Sequence, residues 1–265
     1  MAGYENHIKK EYRPYLESLR DDIAARKNPD FFWPTGTQVY CGRQGSGKTL
    51  SLVFHLLEIK KRYPKAIVVS NLQLNGRTRI PFSSIAECQQ AVIDCEVDPN
   101  TKYIGYDNME QLAIALTQVN NGFFGVIYVV DEIHTYFNAL ESKNIPMYVF
   151  TEISQQRKQR KLILGSSQLF LRMAKPLREQ CDNLIMCNTV AGIFTIQKVF
   201  DGMTMTQDYD GSLSGTVKKT GFFWHTRKIR NAYDTYQKVV SGAEQYEQIS
   251  KPEDSSRRGM FNRRR

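Results

Sequence analysis

Residues 42–49 read Gly42-Arg43-Gln44-Gly45-Ser46-Gly47-Lys48-Thr49 and fit G-x-x-x-x-G-K-S/T, the loop that cradles the phosphates of a nucleoside triphosphate. Such a loop works only between a strand and a helix, so it constrains the fold around it. Both flanks are present. Thr37-Gln38-Val39-Tyr40-Cys41 is strand-like, and the residues after the loop set Leu50, Val53 and Leu57 on one helical face. Glycine lets the backbone curl until successive N–H groups point at phosphate oxygens. The helix N-terminus adds the positive end of its dipole. Lys48 is expected to reach the β- and γ-phosphates, and the Thr49 hydroxyl to ligand Mg2+. Gly42 to Thr49, with Leu50 behind them, are the nucleotide-binding candidates, and ATP and Mg2+ the expected cofactors.

A second motif completes such a site. Val126-Ile127-Tyr128-Val129-Val130 runs directly into Asp131-Glu132. A buried strand would carry Asp131 to the sheet edge beside the loop, to hold Mg2+ through water. Glu132, one residue on, can orient and deprotonate an attacking water, which favours hydrolysis over transfer to an acceptor. Leu162 to Ser167 forms another strand and ends at Gln168. In P-loop ATPases with an additional strand between the two motif-bearing strands (the ASCE type), a polar residue here senses the γ-phosphate. Gln168 is the candidate, and a plain turn glutamine the alternative. Hydrolysis also needs a cation against the charge developing on the transferred group. Arg157, Arg160 and Arg178 are candidates, with a solvated basic helix face the competing reading for Arg160. Supply from a neighbouring subunit would imply a ring.

The rest of the chain alternates in the same way. Ala66 to Ser70 reads as a buried strand, and Arg77 to Phe82 as an edge strand because Pro81 excludes a central one. Asp107 or Asn108 caps a helix through Leu112, Ala115, Leu116 and Val119, closed by Asn121-Gly122. A helix from about Met147 to Lys161, a helix through Pro176 to Cys181 and a strand Leu184 to Cys187 follow. The pattern predicts an α/β P-loop NTPase with a mostly parallel central sheet flanked by helices. Beyond residue 190, Ile193 to Val199 and Gly215 to Trp224 read as antiparallel strands about a turn at Asp210-Gly211, a small β/α appendage. The expected divisions are an N-terminal extension at 1–34, the ATPase core at 35–190, the appendage at 191–250 and a basic disordered tail at 251–265. Ile8, Tyr12, Tyr15, Leu16 and Leu19 recur at helical spacing in the extension.

Composition narrows the setting. Five cysteines without a C-x-x-C pair read as free buried thiols in a reducing compartment. Met1 to Tyr15 lacks the apolar run of a signal peptide, and the longest apolar stretch, Phe123 to Val130, is too short to span a bilayer. A soluble chain in a reducing cytoplasm is expected, docked at most on a membrane by a partner. The formal net charge of +9 suits a polyanionic partner.

These residues resemble the Zot (zonula occludens toxin-like) family and the filamentous-phage assembly ATPases, within the FtsK–HerA group of DNA motors. The resemblance rests on Gly42 to Leu50, Ser70-Asn71-Leu72-Gln73-Leu74, and Val130-Asp131-Glu132 followed by Tyr136-Phe137-Asn138. It continues in Gln156-Arg157-Lys158 ahead of Gln168, Pro176-Leu177-Arg178 ahead of Leu184-Ile185-Met186-Cys187, and Asn231-Ala232-Tyr233-Asp234-Thr235. It implies an oligomeric motor acting on a phage genome, single- or double-stranded, and docking on a coat, portal or export-channel protein. Two departures are the longer N-terminal extension and the lack of the membrane helix and periplasmic domain that follow this region in the filamentous-phage proteins.

Gly211 to Arg230 holds Lys218, Lys219, Arg227, Lys228 and Arg230 with no acidic residue, interleaved with Phe222, Phe223 and Trp224. Cations with aromatics are the ingredients of a groove that tracks phosphates. None of these cations is expected in the nucleotide site, and the aromatics read more readily as hairpin core. Three functions stay open: an ATP-driven nucleic-acid translocase, an ATP-switched assembly factor that moves no DNA, and a DExH-type helicase, since Asp131-Glu132-Ile133-His134 spells that box. Against the last, one domain is too short for the tandem cores that helicases use.

Overall fold

In the computed structural model the described chain, residues 23–24, 27–207 and 213–234, runs β1 (Gly36–Cys41), α1 (Lys48–Arg62), β2 (Ile67–Ser70), β3 (Thr78–Pro81) and α2 (Ile85–Val97). There follow β4 (Lys102–Gly105), α3 (Met109–Gln118), β5 (Val126–Val130), α4 (Ile133–Tyr136), α5 (Met147–Ser154) and β6 (Lys161–Ser167). The last elements are α6 (Lys175–Arg178), β7 (Cys181–Val190), β8 (Phe194–Asp201), β9 (Thr206–Gln207), β10 (Leu213–Ser214), β11 (Val217–Trp224) and α7 (Arg227–Arg230). The expected helix through Ile8 to Leu19, the Asp210-Gly211 turn and the basic tail lie outside the described residues.

Nine strands form one sheet in the order β11-β8-β7-β1-β6-β5-β2-β4-β3. From β7 to β3 every pairing is parallel, and β8 and β11 extend the other edge antiparallel. The additional strand β6 lies between β1 and β5, as the ASCE pattern requires. Every residue of β2, β5 and β6 is buried, and their centres read as apolar runs accordingly. β3 takes the edge that Pro81 demands. One sheet face packs α1, with Leu52, Val53 and Leu56 against Val68, Ile127 and Leu164. The other packs α2, α3 and α5, with Cys88, Leu112, Leu116 and Val149 against Ile104, Tyr128 and Val130.

Helix ends follow local chemistry. Asn108, not Asp107, caps α3, its Oδ1 accepting from Gln111 N at 2.9 Å. The helix stops at Gln118, and Gly122 opens a short 3-10 turn instead of closing the helix. At the end of α1, buried Lys60 donates to Pro64 O, Ala66 O and Pro99 O at 2.6, 2.8 and 2.9 Å. It thereby ties the turn into β2 to the loop that follows α2. All five cysteines are free and buried.

Three expectations change. The helix expected from Met147 to Lys161 ends at Ser154. Buried Gln156 exchanges hydrogen bonds with the Thr37 hydroxyl at 3.1 and 3.2 Å, and Arg160 takes a left-handed φ of 51°, so the chain turns directly into β6. The helix expected through Cys181 is the single turn Lys175–Arg178, because Cys181 already pairs with Thr37 as the start of β7. That strand has ten residues, well beyond the expected Leu184 to Cys187.

Candidate nucleotide site

The loop 42–47 joins the top of β1 to α1, and Gly47 stands at the helix N-cap with φ 83°. A Cβ there would lie 2.4 Å from Thr189 Oγ1 and 2.7 Å from Thr195 Oγ1, so both space and φ demand glycine. Lys48 is buried, and its Nζ donates to Arg43 O at 3.2 Å, folded over the loop it serves.

Asp131 follows the last residue of β5 and meets that loop. Its Oδ1 accepts from Thr49 Oγ1 at 3.0 Å and from Ser166 Oγ at 2.5 Å. Asn71, just beyond β2, holds the Asp131 backbone, donating from Nδ2 to Asp131 O at 2.9 Å and accepting Asp131 N at 2.8 Å. Burial pushes the Asp131 carboxyl up, while the Ser166 hydrogen bond pulls it down.

Glu132 adopts the left-handed region, φ 51° and ψ 51°, with its N–H donating to Ser166 Oγ at 2.9 Å. A glutamate in this conformation is strained, and here the strain falls on a side chain that lines the cleft. Gln168 Nε2 lies 3.4 Å from Glu132 Oε1. Glu132 Oε2 is buried without a hydrogen-bond partner, although His134 Nδ1 is 3.3 Å away. Burial, then Arg172 and Lys48, push the His134 pKa down, against the opposing pull of Asp131.

Lys48, Thr49, Asp131, Glu132 and Gln168 therefore converge from three strand ends. Of these, Lys48, Thr49 and Glu132 line a cleft of about 640 Å³ together with Gln44, Gly45 and Leu50, and Gly42, Arg43 and Ser46 complete the loop behind them. None of the three arginines singled out from sequence lines it. Arg157 is exposed in the turn leading into β6, at the sheet edge opposite the loop. Arg178 packs over the Phe170 ring at 5.9 Å. Arg160 is also committed elsewhere, donating to Phe32 O at 3.1 Å and lying 3.7 Å over the Phe31 ring.

Sequence reasoning missed the opposite wall. Thr189, Gly192, His225, Arg230 and Tyr233 line the cleft on the β7–β8 side. Arg230, expected among cations outside the nucleotide site, is here part of its lining. The Asn-Ala-Tyr-Asp string lies against the loop after β2. Leu74 bridges Tyr233, Asn75 N donates to Ala232 O at 2.9 Å and Asp234 N to Gln73 O at 3.1 Å.

The fold and the cleft define the class: a P-loop NTPase of the additional-strand type. No protein-family model matches the chain. No curated protein matches it either. Solved structures do. The N-terminal domain of zonular occludens toxin from Neisseria meningitidis is 12% identical, covering 76% of this chain and 100% of that one with a TM-score of 0.47. The genome packaging NTPase of Sulfolobus turreted icosahedral virus 2, in complex with ATP-gammaS, is 12% identical over 71% of this chain and 97% of that one, TM-score 0.47. A further solved ATPase domain is 11% identical over 84% of this chain and 97% of that one, TM-score 0.50. At these identities the likeness is one of fold alone. Among the described residues no helix is long and apolar enough to cross a membrane.

Proposed function

We propose that this chain is an ATP-hydrolysing nucleic-acid translocase of a phage or mobile element, driving genome packaging or virion assembly and extrusion. The observation that carries the reading is the junction of Thr49, Asp131 and Ser166, with Glu132 turned into the cleft beside it. The Thr49 hydroxyl and the Asp131 carboxylate are hard oxygen donors 3.0 Å apart. They fit Mg2+, which takes few protein ligands and keeps waters and phosphate oxygens. Bound there, the ion would neutralise charge on the β- and γ-phosphates.

The remaining work falls to side chains. Lys48 draws in the terminal phosphates, and the half-buried Glu132 carboxylate, with its buried Oε2 unpaired, orients and deprotonates a water. Gln168, within reach of Glu132, ties the γ-phosphate to that carboxylate. Arg157 and Arg178 stand outside their own cleft. Either one would serve catalysis only in a neighbour's site, which is the arrangement of a ring.

The nucleic-acid half rests on the basic character of the chain, with a net charge of +9, and on exposed Lys219, Arg227 and Lys228. A second reading, an ATP-switched factor that docks on coat, portal or channel protein without moving DNA, is favoured by one observation. Lys218 is already engaged with Asp182 O, Asn183 Oδ1 and Asp201 at 3.1, 3.0 and 3.5 Å, and Arg230 lines the cleft, so the basic stretch offers fewer cations than its sequence suggests. ATP turnover measured with and without single- and double-stranded DNA separates the two. Stimulation by either DNA supports the translocase, and indifference to both supports the assembly factor.

A further inference from the structure

The sheet order gives the phosphate loop two different sides. β6 and β5 bring Gln168 and Glu132 to one; β7, β8 and the segment after β11 bring Thr189, Gly192, His225, Arg230 and Tyr233 to the other. A triphosphate with its terminal phosphate at Glu132 and its middle phosphate on the loop must run its ribose and base toward this second wall. We propose that the wall of His225, Arg230 and Tyr233 is the base-and-ribose end of the nucleotide site, where Arg230 and Tyr233 hold a nucleobase by its π-face. The inference rests on the nucleotide reading above and assigns to that site a part the sequence motifs leave out.

The wall is built onto the loop. β7 and β8 are joined through Ala191 and Gly192, both left-handed with φ 51° and 67°, and Ile193 N donates to Val190 O at 3.0 Å. Two positive φ values in succession make the tight turn whose twist matches a hairpin. The turn presents the Gly192 carbonyl, which accepts from Arg230 Nη2 and pairs with His225 Nδ1 at 3.0 Å. The other ring nitrogen of His225 meets Thr195 Oγ1 at 2.7 Å, and Thr195 meets Thr189 at 2.8 Å. Those two threonines are the ones against Gly47. A hydrogen-bonded chain thus runs from the two threonines packed against Gly47 to Arg230.

Arg230 is exposed at the cleft; its Nη2 is taken up by Gly192 O and by His225 Nδ1 at 3.4 Å, which leaves Nε, Nη1 and the planar face for a ligand. Tyr233 is buried yet lines the cleft, its backbone held by the bridge to Leu74, and Leu50 contributes apolar surface from α1. A guanidinium plane and a phenol ring suit a base and do little for a phosphate held on the far side of the loop.

The test compares two ligands with a three-phosphate chain, of which only one carries a nucleoside. Affinities of the full chain for a non-hydrolysable ATP analogue and for inorganic tripolyphosphate, both with Mg2+, are measured calorimetrically. Arg230→Ala should weaken the analogue on the order of tenfold and leave tripolyphosphate within about twofold. Tyr233→Phe keeps the ring and should bind the analogue as wild type does, while Tyr233→Leu should lose affinity for the analogue alone. Equal losses for both ligands would make Arg230 a phosphate ligand and overturn the proposal, as would unchanged analogue binding in Arg230→Ala. Wild-type protein that binds neither ligand would instead overturn the nucleotide reading beneath it.

Discussion

Asn71 grips the backbone of Asp131 from both sides, its carboxamide donating to the carbonyl at 2.9 Å and accepting the N–H at 2.8 Å. One side chain at the top of β2 therefore sets where β5 ends and where Glu132 begins. Asn71→Ala would leave two buried backbone groups unpaired, at about 1–3 kcal/mol each. Urea denaturation should register that loss. Turnover should also fall, by roughly 10²-fold if the catalytic carboxylate moves by an ångström. Wild-type turnover in a destabilised Asn71→Ala protein would show that the clasp serves stability alone.

Lys48→Ala and Glu132→Gln should fail differently. Losing the lysine removes a preorganised charge from the terminal phosphates and should cost about 3 kcal/mol or more in turnover. Glu132→Gln keeps the volume and the left-handed turn but not the base, so nucleotide binding should persist while hydrolysis stops. Equilibrium binding beside single-turnover hydrolysis reads both. A Glu132→Gln protein that hydrolyses at the wild-type rate would remove Glu132 from the mechanism.

How far the chain could be read without coordinates depended on distance along it. The loop, its two flanks and the strand into Asp131 are local patterns, and the additional strand β6 carried its own apolar run to Gln168. Long-range bonds were invisible. The helix from Met147 stops because Gln156 pairs with Thr37, 119 residues away. Arg230 read as one more cation in a basic stretch, and nothing in its spacing reveals that it folds back onto Gly192, 38 residues earlier. Phe223 stacks on Phe54 of α1 at 4.4 Å, as hairpin core should, while Phe222 and Trp224 on the alternate face stay exposed. Alternation told that the two faces differ and not which one α1 would cover.

Acid should destabilise the fold through His55. Burial, then Lys219, lowers its pKa from 6.5 to about 4, and the ring lies 2.5 Å from the Tyr40 hydroxyl. The unfolded chain binds the proton first, so stability is full above about pH 6.5 and is lost as the pH falls toward 4. The loss should reach about 3 kcal/mol. His55→Asn, which offers an acceptor near Nδ1 without titrating, should flatten this part of the pH–stability curve in thermal unfolding. An unchanged curve would mean that other groups carry the acid sensitivity.

Nucleic-acid binding should be indifferent to sequence and sensitive to salt, since a sliding protein holds phosphates and avoids base readout. With Lys218 engaged and Arg230 in the cleft, Lys219, Arg227 and Lys228 remain. If each meets one phosphate, log K against log salt should fall with a slope of about −2 to −3 per subunit. Neutralising these three should flatten the slope and spare basal ATP turnover. A slope near zero in the wild-type protein would remove this surface from DNA binding.

The claim that this chain moves along nucleic acid is tested most directly by displacement. Duplex DNA carrying a triplex-forming strand, and single-stranded DNA ending in a biotin–streptavidin block, report movement on each kind of track. The account predicts that the chain clears at least one of these obstacles in an ATP-dependent reaction, and that Glu132→Gln protein, which binds ATP without hydrolysing it, clears neither. Steady ATP turnover in the presence of DNA, with both obstacles left in place, would contradict it.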